Sequence, residues 1–155
     1  NREAYERRIA IELERARRYG SKFCLVVADV DYFKQVNDTY GHLAGDKVLK
    51  VLAKTMQHRL RLADFIARYG GEEFVILLPE TDAKAALTLM NAICVQVRDC
   101  PFHFKSKPLK VTISIGIAQI SEGDDARTLF SRADKAMYEA KQQGRDRCNV
   151  ADEKS

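Results

Sequence analysis

Hydrophobic positions along the chain change period several times, and each change marks an element. Over residues 2–18, Tyr5, Ile9, Leu13 and Ala16 recur at helical spacing and Gly20 follows as a stop. This predicts a helix that either packs on the domain or leads in from an upstream one. Residues 22–30, Lys-Phe-Cys-Leu-Val-Val-Ala-Asp-Val, are almost continuously apolar. Such a run predicts a central strand covered on both faces. Asp29 sits at its C-terminal end, and Asp31 shares its face if the strand persists. The polar stretch 32–42 predicts a loop with a short helix. Gly45-Asp46 then opens a helix with Val48, Leu49, Leu52, Ala53, Met56 and Leu60 on one side.

Two apolar runs, Phe65-Ile66-Ala67 and Phe74-Val75-Ile76-Leu77-Leu78, flank Arg68-Tyr69-Gly70-Gly71-Glu72-Glu73. Gly-Gly between strand-like runs predicts a hairpin with a tight two-residue turn, which needs positive φ. After Pro79, Thr81 or Asp82 caps a helix carrying Ala86, Leu89, Met90, Ile93 and Val97 inward. Residues 102–108 form a polar connection or a small hairpin. Residues 109–120 alternate strictly. Val111, Ile113, Ile115 and Ile117 face one layer; Thr112, Ser114, Gly116 and Ala118 face the other. Those small residues imply close helix packing or an approaching nucleotide. Asp124 or Asp125 caps a last helix bearing Leu129, Phe130, Ala133, Ala136, Met137 and Ala140, which Gly144 stops. A short strand at about Cys148–Val150 follows. The order predicts an α/β (α+β) fold, a sheet covered by helices around a βαββαβ core. No linker interrupts it, so 1–155 reads as a single domain.

Charge narrows the partners. The formal net charge is +4, with Lys and Arg interspersed among Asp and Glu. That suits a small anionic substrate better than a nucleic-acid polymer. No apolar run approaches membrane-spanning length, so no membrane contact is expected of this segment. Cys24, Cys94, Cys100 and Cys148 lack metal-ligand spacing and read as reduced thiols, pointing to a cytoplasmic compartment.

The chemistry gathers where carboxylates meet the sheet. Strands disfavour Glu, and adjacent like charges repel, so Glu72-Glu73 at a hairpin tip calls for a cation. If the hairpin neighbours the first strand, Asp29 joins them. Hard oxygen ligands of this kind suit Mg²⁺ or Mn²⁺ that also hold phosphate oxygens. Taken singly these residues have ordinary readings. Asp is common at strand ends, Asn37 suits a turn, Asp46 suits a helix N-terminus, and Lys141 and Arg145 suit a helix C-terminus.

Together, Gly70-Gly71-Glu72-Glu73-Phe74 resembles the signature of the GGDEF family, the diguanylate cyclases, in its Glu-containing variant. Asp29-Val30-Asp31-Tyr32-Phe33-Lys34-Gln35-Val36-Asn37-Asp38 resembles the family's metal and phosphate stretch. Tyr40-Gly41-His42 through Gly45-Asp46 resembles its guanine stretch. Thr112–Ala118, Ala133–Tyr138 and Lys141–Arg145 resemble its C-terminal blocks, and Asn1-Arg2 the tail of its N-terminal turn motif.

The resemblance implies a palm-like nucleotidyl cyclase fold with a mixed sheet of about five strands. It implies condensation of two GTP into cyclic di-GMP with release of two pyrophosphates. Two Mg²⁺ or Mn²⁺ ions per site, a catalytic homodimer and an upstream regulatory domain come with it. Asp29 and Glu72 would ligate metal through side chains and Val30 through its carbonyl, with Glu72 also the proton acceptor. Glu73 would be a secondary candidate, since in an ideal strand it points away from Glu72. Phe33 and Lys34 would cradle phosphate through backbone amides. Asn37 and Asp46 would read guanine, with His42 touching substrate or orienting the loop. Gly70 and Gly71 would leave room for the nucleotide, and Lys141 and Arg145 would bind the triphosphate. Arg61 and Asp64 match the family's inhibitory product motif, Arg-x-x-Asp. Its second arginine would fall near Ala92, so that site is weakened or completed by another residue such as Arg98. The rival readings are a catalytically silent cyclic di-GMP receptor and another nucleotidyl cyclase.

Overall fold

A computed structural model describes residues 1–153. Helix α1 (Arg2–Tyr19) starts at Asn1, whose side chain accepts from the Ala4 N–H, and ends at Gly20 in the left-handed region. Strand β1 (Phe23–Val30) is buried at all eight positions. Helices α2 (Phe33–Tyr40) and α3 (His42–Gln57) follow. The third helix thus begins three residues before Gly45, because Gly41 rather than Gly45 breaks the chain direction.

Strands β2 (Phe65–Arg68) and β3 (Glu73–Pro79) form the hairpin. Helix α4 (Ala83–Asp99) is capped by Asp82. A small hairpin, β4 (Phe102–Phe104) and β5 (Lys107–Leu109), occupies the polar connection. Then come β6 (Ile113–Gln119), α5 (Ala126–Gln142) and β7 (Arg147–Val150). Asp125 and Thr128 form a reciprocal capping box at the start of α5.

The five-stranded sheet has the order β2-β3-β1-β6-β7. All neighbours are antiparallel except β6 and β7. Alternation sorts the strand residues into two layers. Cys24, Val26, Ala28, Ile76, Leu78, Ile113, Ile115 and Ile117 pack with residues of α3 and α4. Phe23, Leu25, Val27, Val75, Leu77 and Ala118 pack with residues of α1 and α5. The small residues of β6 are explained by α5. A Cβ at Gly116 would overlap the Ala133 carbonyl and the Met137 amide, so that face seats a helix backbone, not a nucleotide.

The consequence for function is directional. β1 ends, β3, β6 and β7 begin, and α5 ends at one edge of the sheet. The chemistry-bearing residues collect there.

Candidate active site

The hairpin tip departs from a two-residue turn. Arg68 pairs with Phe74 as the last strand pair, and Tyr69–Glu72 form a wider connection. The Tyr69 N–H donates to the Glu73 carbonyl at 2.8 Å. The Arg68 guanidinium reaches over the loop and donates to the Gly71 carbonyl at 2.8 Å. Neither Gly70 nor Gly71 occupies the left-handed region. Gly71 stands in open space, with nothing within 4 Å of where a Cβ would lie.

That wider loop changes which glutamate faces the first strand. β3 starts at Glu73, and the register sets Asp29 directly opposite it. Opposed residues in an antiparallel pair project to the same face. Glu73, expected to point away, therefore shares a face with Asp29. Glu72 lies in the loop, and its carbonyl accepts from the Val30 N–H at 3.2 Å.

The carboxylates stand close to one cation. Lys141, in the last turn of α5, places Nζ 2.7 Å from Asp29 Oδ1 and 3.8 Å from Asp31 Oδ1. Even so, burial raises the Asp29 pKa, and the charges of Glu72 and Asp31 add to the rise against Lys141. Burial likewise raises Glu73, followed by the charges of Asp29, Asp134 and Glu72. Asp134 on α5, which lies in a stretch resembling the family but carries no site role readable from sequence, is thus part of the same electrostatic cluster, and burial raises it too.

Asp31 lies just past the end of β1 and keeps the face of Asp29, since Lys141 Nζ approaches both carboxylates and Ser114, opposite Asp29, donates to Asp31. The chain turns at Tyr32, which has φ 56°, and Asp31 is buried. Helix α2 starts beyond that turn with no side chain capping its first N–H groups. Phe33 and Lys34 therefore present amides of the kind that bind anions at a helix N-terminus. Arg145, also left-handed at φ 65°, lays its guanidinium 4.6 Å from the Tyr32 ring centroid.

Asn37 and Asp46 lie on the consecutive helices α2 and α3. Asn37 lies against Gly45, where a Cβ would overlap its amide oxygen. That oxygen is buried without a hydrogen-bond partner. His42 is the first residue of α3, and Asp46 lies one turn farther along.

Arg61 and Asp64 sit at the other end of the hairpin. Arg61 donates to Asp64 Oδ1, the Pro79 carbonyl and Thr81 Oγ1 at 2.8, 2.8 and 2.9 Å. Its side chain is still 56% exposed and borders an open groove of about 510 Å³. Arg98 is committed elsewhere. Its Nε donates to Asp146 Oδ2 at 2.7 Å in the turn between α5 and β7. It does not extend the Arg61 cluster.

Residues 1–147 match the family described as diguanylate cyclase, GGDEF domain. The chain belongs to the GGDEF family. Diguanylate cyclase DgcP of Pseudomonas aeruginosa is 49% identical over 151 residues, covering 97% of this chain and 22% of that protein. The chain spans 22–34% of the length of the first three curated relatives it matches. Among solved structures, the GGDEF domain of DgcB from Caulobacter crescentus, in complex with c-di-GMP, superposes with a TM-score of 0.92 at 33% identity. That match covers 97% of this chain and 90% of the other. The active GGEEF domain of a diguanylate cyclase from Vibrio cholerae gives 0.86 at 34% identity, over 93% and 92% of the two chains. The GGDEF domain thus has the expected mixed five-stranded sheet with helices on both faces. Among the described residues, no three His, Cys, Asp or Glu side chains converge as a self-sufficient metal cage. No helix among the described residues is long and apolar enough to cross a membrane.

Proposed function

We propose that this domain condenses two GTP molecules into cyclic di-GMP, each subunit of a homodimer presenting one GTP to the other. The observation that carries the reading is the in-register Asp29–Glu73 pair beside Lys141, next to the uncapped start of α2. Two facing carboxylates and the Val30 carbonyl fit a Mg²⁺ or Mn²⁺ whose remaining ligands are waters and phosphate oxygens. They do not need a third carboxylate, in keeping with the donor set present. Bound metal would neutralise charge on the phosphates and lower the pKa of an attacking hydroxyl.

The chain's own residues do the rest. Asp29 and Glu73 would be the side-chain metal ligands, an assignment that moves Glu73 forward. Glu72, free in the loop, takes the 3′-hydroxyl proton while remaining close enough to share a metal. The Phe33 and Lys34 amides and the Arg145 guanidinium hold the triphosphate. Lys141, which here pairs with Asp29, would be free to bind phosphate where a metal ion takes its place at that carboxylate. Asn37 and Asp46 read the guanine edge, the buried Asn37 amide oxygen awaiting a donor; His42, at the start of α3, touches substrate or orients the loop. The open Gly70-Gly71 loop admits the partner subunit's nucleotide. Holding the two nucleotides in line is the chief catalytic contribution, since phosphoryl transfer is largely a matter of positioning and electrostatics.

Arg61 and Asp64 bind the product and restrain turnover. An upstream regulatory domain sets the dimer geometry, and the domain works in the cytoplasm. The test is incubation with GTP and Mg²⁺ at high protein concentration, followed by nucleotide chromatography. A cyclic dinucleotide that disappears in Glu72→Gln supports the reading. Binding of cyclic di-GMP without any turnover under enforced dimerisation would replace it with a receptor role.

A further inference from the structure

We propose that Asp31 is a positioning residue for the triphosphate site, a buried anion that fixes Lys141 and Arg145 relative to the start of α2. The inference rests on the cyclase reading above. Asp31 is 3% exposed yet fully engaged. Ser114 Oγ donates to its Oδ1 at 2.7 Å, and Thr112 Oγ1 donates to its Oδ2 at 2.8 Å. The Asp146 backbone N–H donates to the same Oδ2 at 3.0 Å. Its own N–H donates to the Thr112 carbonyl at 3.0 Å.

These bonds join three segments that are remote in sequence: the β1–α2 turn, the first residues of β6, and the α5–β7 turn. The first and the last of these carry the proposed phosphate contacts, and β6 supplies the hydroxyls that hold Asp31 between them. Tyr32, next in the chain, immediately precedes α2 and supports the Arg145 guanidinium. Arg145 precedes the residue whose N–H Asp31 accepts, and both Arg145 and Asp146 are left-handed, at φ 65° and 50°. A two-residue left-handed turn is strained for these side chains and persists only where its surroundings impose it. Asp31 imposes it from one side and Arg98 from the other, through Asp146 Oδ2.

The charge matters as well as the bonds. Ser, Thr and a backbone amide stabilise the carboxylate without neutralising it. Its charge is left facing Lys141 Nζ at 3.8 Å, so the ammonium is drawn toward Asp31 as well as Asp29. An amide at position 31 keeps the shape and loses that pull.

The test is the affinity of the full domain for a non-hydrolysable GTP analogue with Mg²⁺, measured by calorimetry on Asp31→Asn, Lys141→Met and the double variant. Because Asp31 acts through Lys141 and Arg145, Asp31→Asn should weaken binding by about tenfold alone. It should weaken it by only about two- to threefold in the Lys141→Met background, since coupled residues are non-additive. A merely structural role would give equal losses in both backgrounds and overturn the proposal, as would unchanged affinity. If Asp31→Asn fails to unfold cooperatively, Thr112→Val removes one hydroxyl donor and leaves the carboxylate. It should weaken binding about threefold, and an unchanged affinity would overturn the proposal. Parent protein that binds the analogue but never forms product would refute the cyclase reading alone. Parent protein that binds no analogue would refute both.

Discussion

Gly116→Ala is the substitution that asks most directly whether α5 must lie where it does. The new Cβ would overlap the Ala133 carbonyl oxygen and the Met137 amide nitrogen and lie 3.0 Å from Met137 Cα. All three are backbone atoms, so no side-chain rotation relieves the clash. The helix must back away from β6 by about 1 Å, which opens the interface around Leu129, Ala133 and Met137. Overpacking of this kind costs about 1–3 kcal/mol. For a domain of this size that is a fall of roughly 3–10 °C in Tm. The functional loss should be larger in proportion. Lys141 rides the same helix to Asp29, and misplacing a site by about 1 Å can cost on the order of 100-fold in rate. Guanidinium denaturation, calorimetry and initial rates with GTP measure both effects. A variant with parental Tm and parental kcat/KM would refute the claim that close backbone contact at Gly116 positions the site.

Three other outcomes are expected. Glu73→Gln should raise the Tm of metal-free protein while abolishing turnover. Its carboxyl has a pKa raised by burial and by Asp29, so the folded state binds a proton more tightly than the unfolded chain does. The ionised group therefore costs stability at neutral pH. The Tm gain of Glu73→Gln should shrink as pH falls through the raised pKa, and a gain that grows with acid would refute it. Arg61→Ala should relieve product inhibition and leave the initial rate within about twofold, because Arg61 lies outside the carboxylate cluster; an unchanged inhibition curve in nucleotide chromatography would count against the site. Gly45→Ala should raise KM for GTP about tenfold with Tm little changed, since the new methyl meets the Asn37 side chain rather than backbone; steady-state kinetics would show it.

Much of this molecule was legible in its sequence because the patterns are local. The unbroken apolar run of β1, the alternation of β6 and the helical spacing on α3, α4 and α5 each name an element and a face. The caps narrow to Thr81 or Asp82 and to Asp124 or Asp125 for the same reason, and the structure selects Asp82 and Asp125. The misreadings involve register. Gly70-Gly71 looks like a two-residue turn, but Arg68 binds the Gly71 carbonyl and the loop widens. Two residues of loop then decide whether Glu72 or Glu73 opposes Asp29, and composition carries no record of that choice. Arg98 and Asp31 escaped for another reason. Their partners, Asp146 and the hydroxyls of Thr112 and Ser114, lie 48, 81 and 83 residues away. No spacing rule reaches across such intervals.

The hairpin joins two chemically distinct stations. Arg61 clasps its open end through the Pro79 carbonyl, opposite Phe23 in the neighbouring strand, while Glu73 at its closed end stands opposite Asp29. Six strand steps, about 20 Å, separate the two. A product molecule gripped by Arg61 cannot compete with GTP for the same groups of one subunit. A product bound there as proposed would meet a guanidinium already bonded to Asp64, Pro79 and Thr81. Restraint set up that way would act away from the carboxylate cluster rather than as a plug in it, and added GTP would not release it.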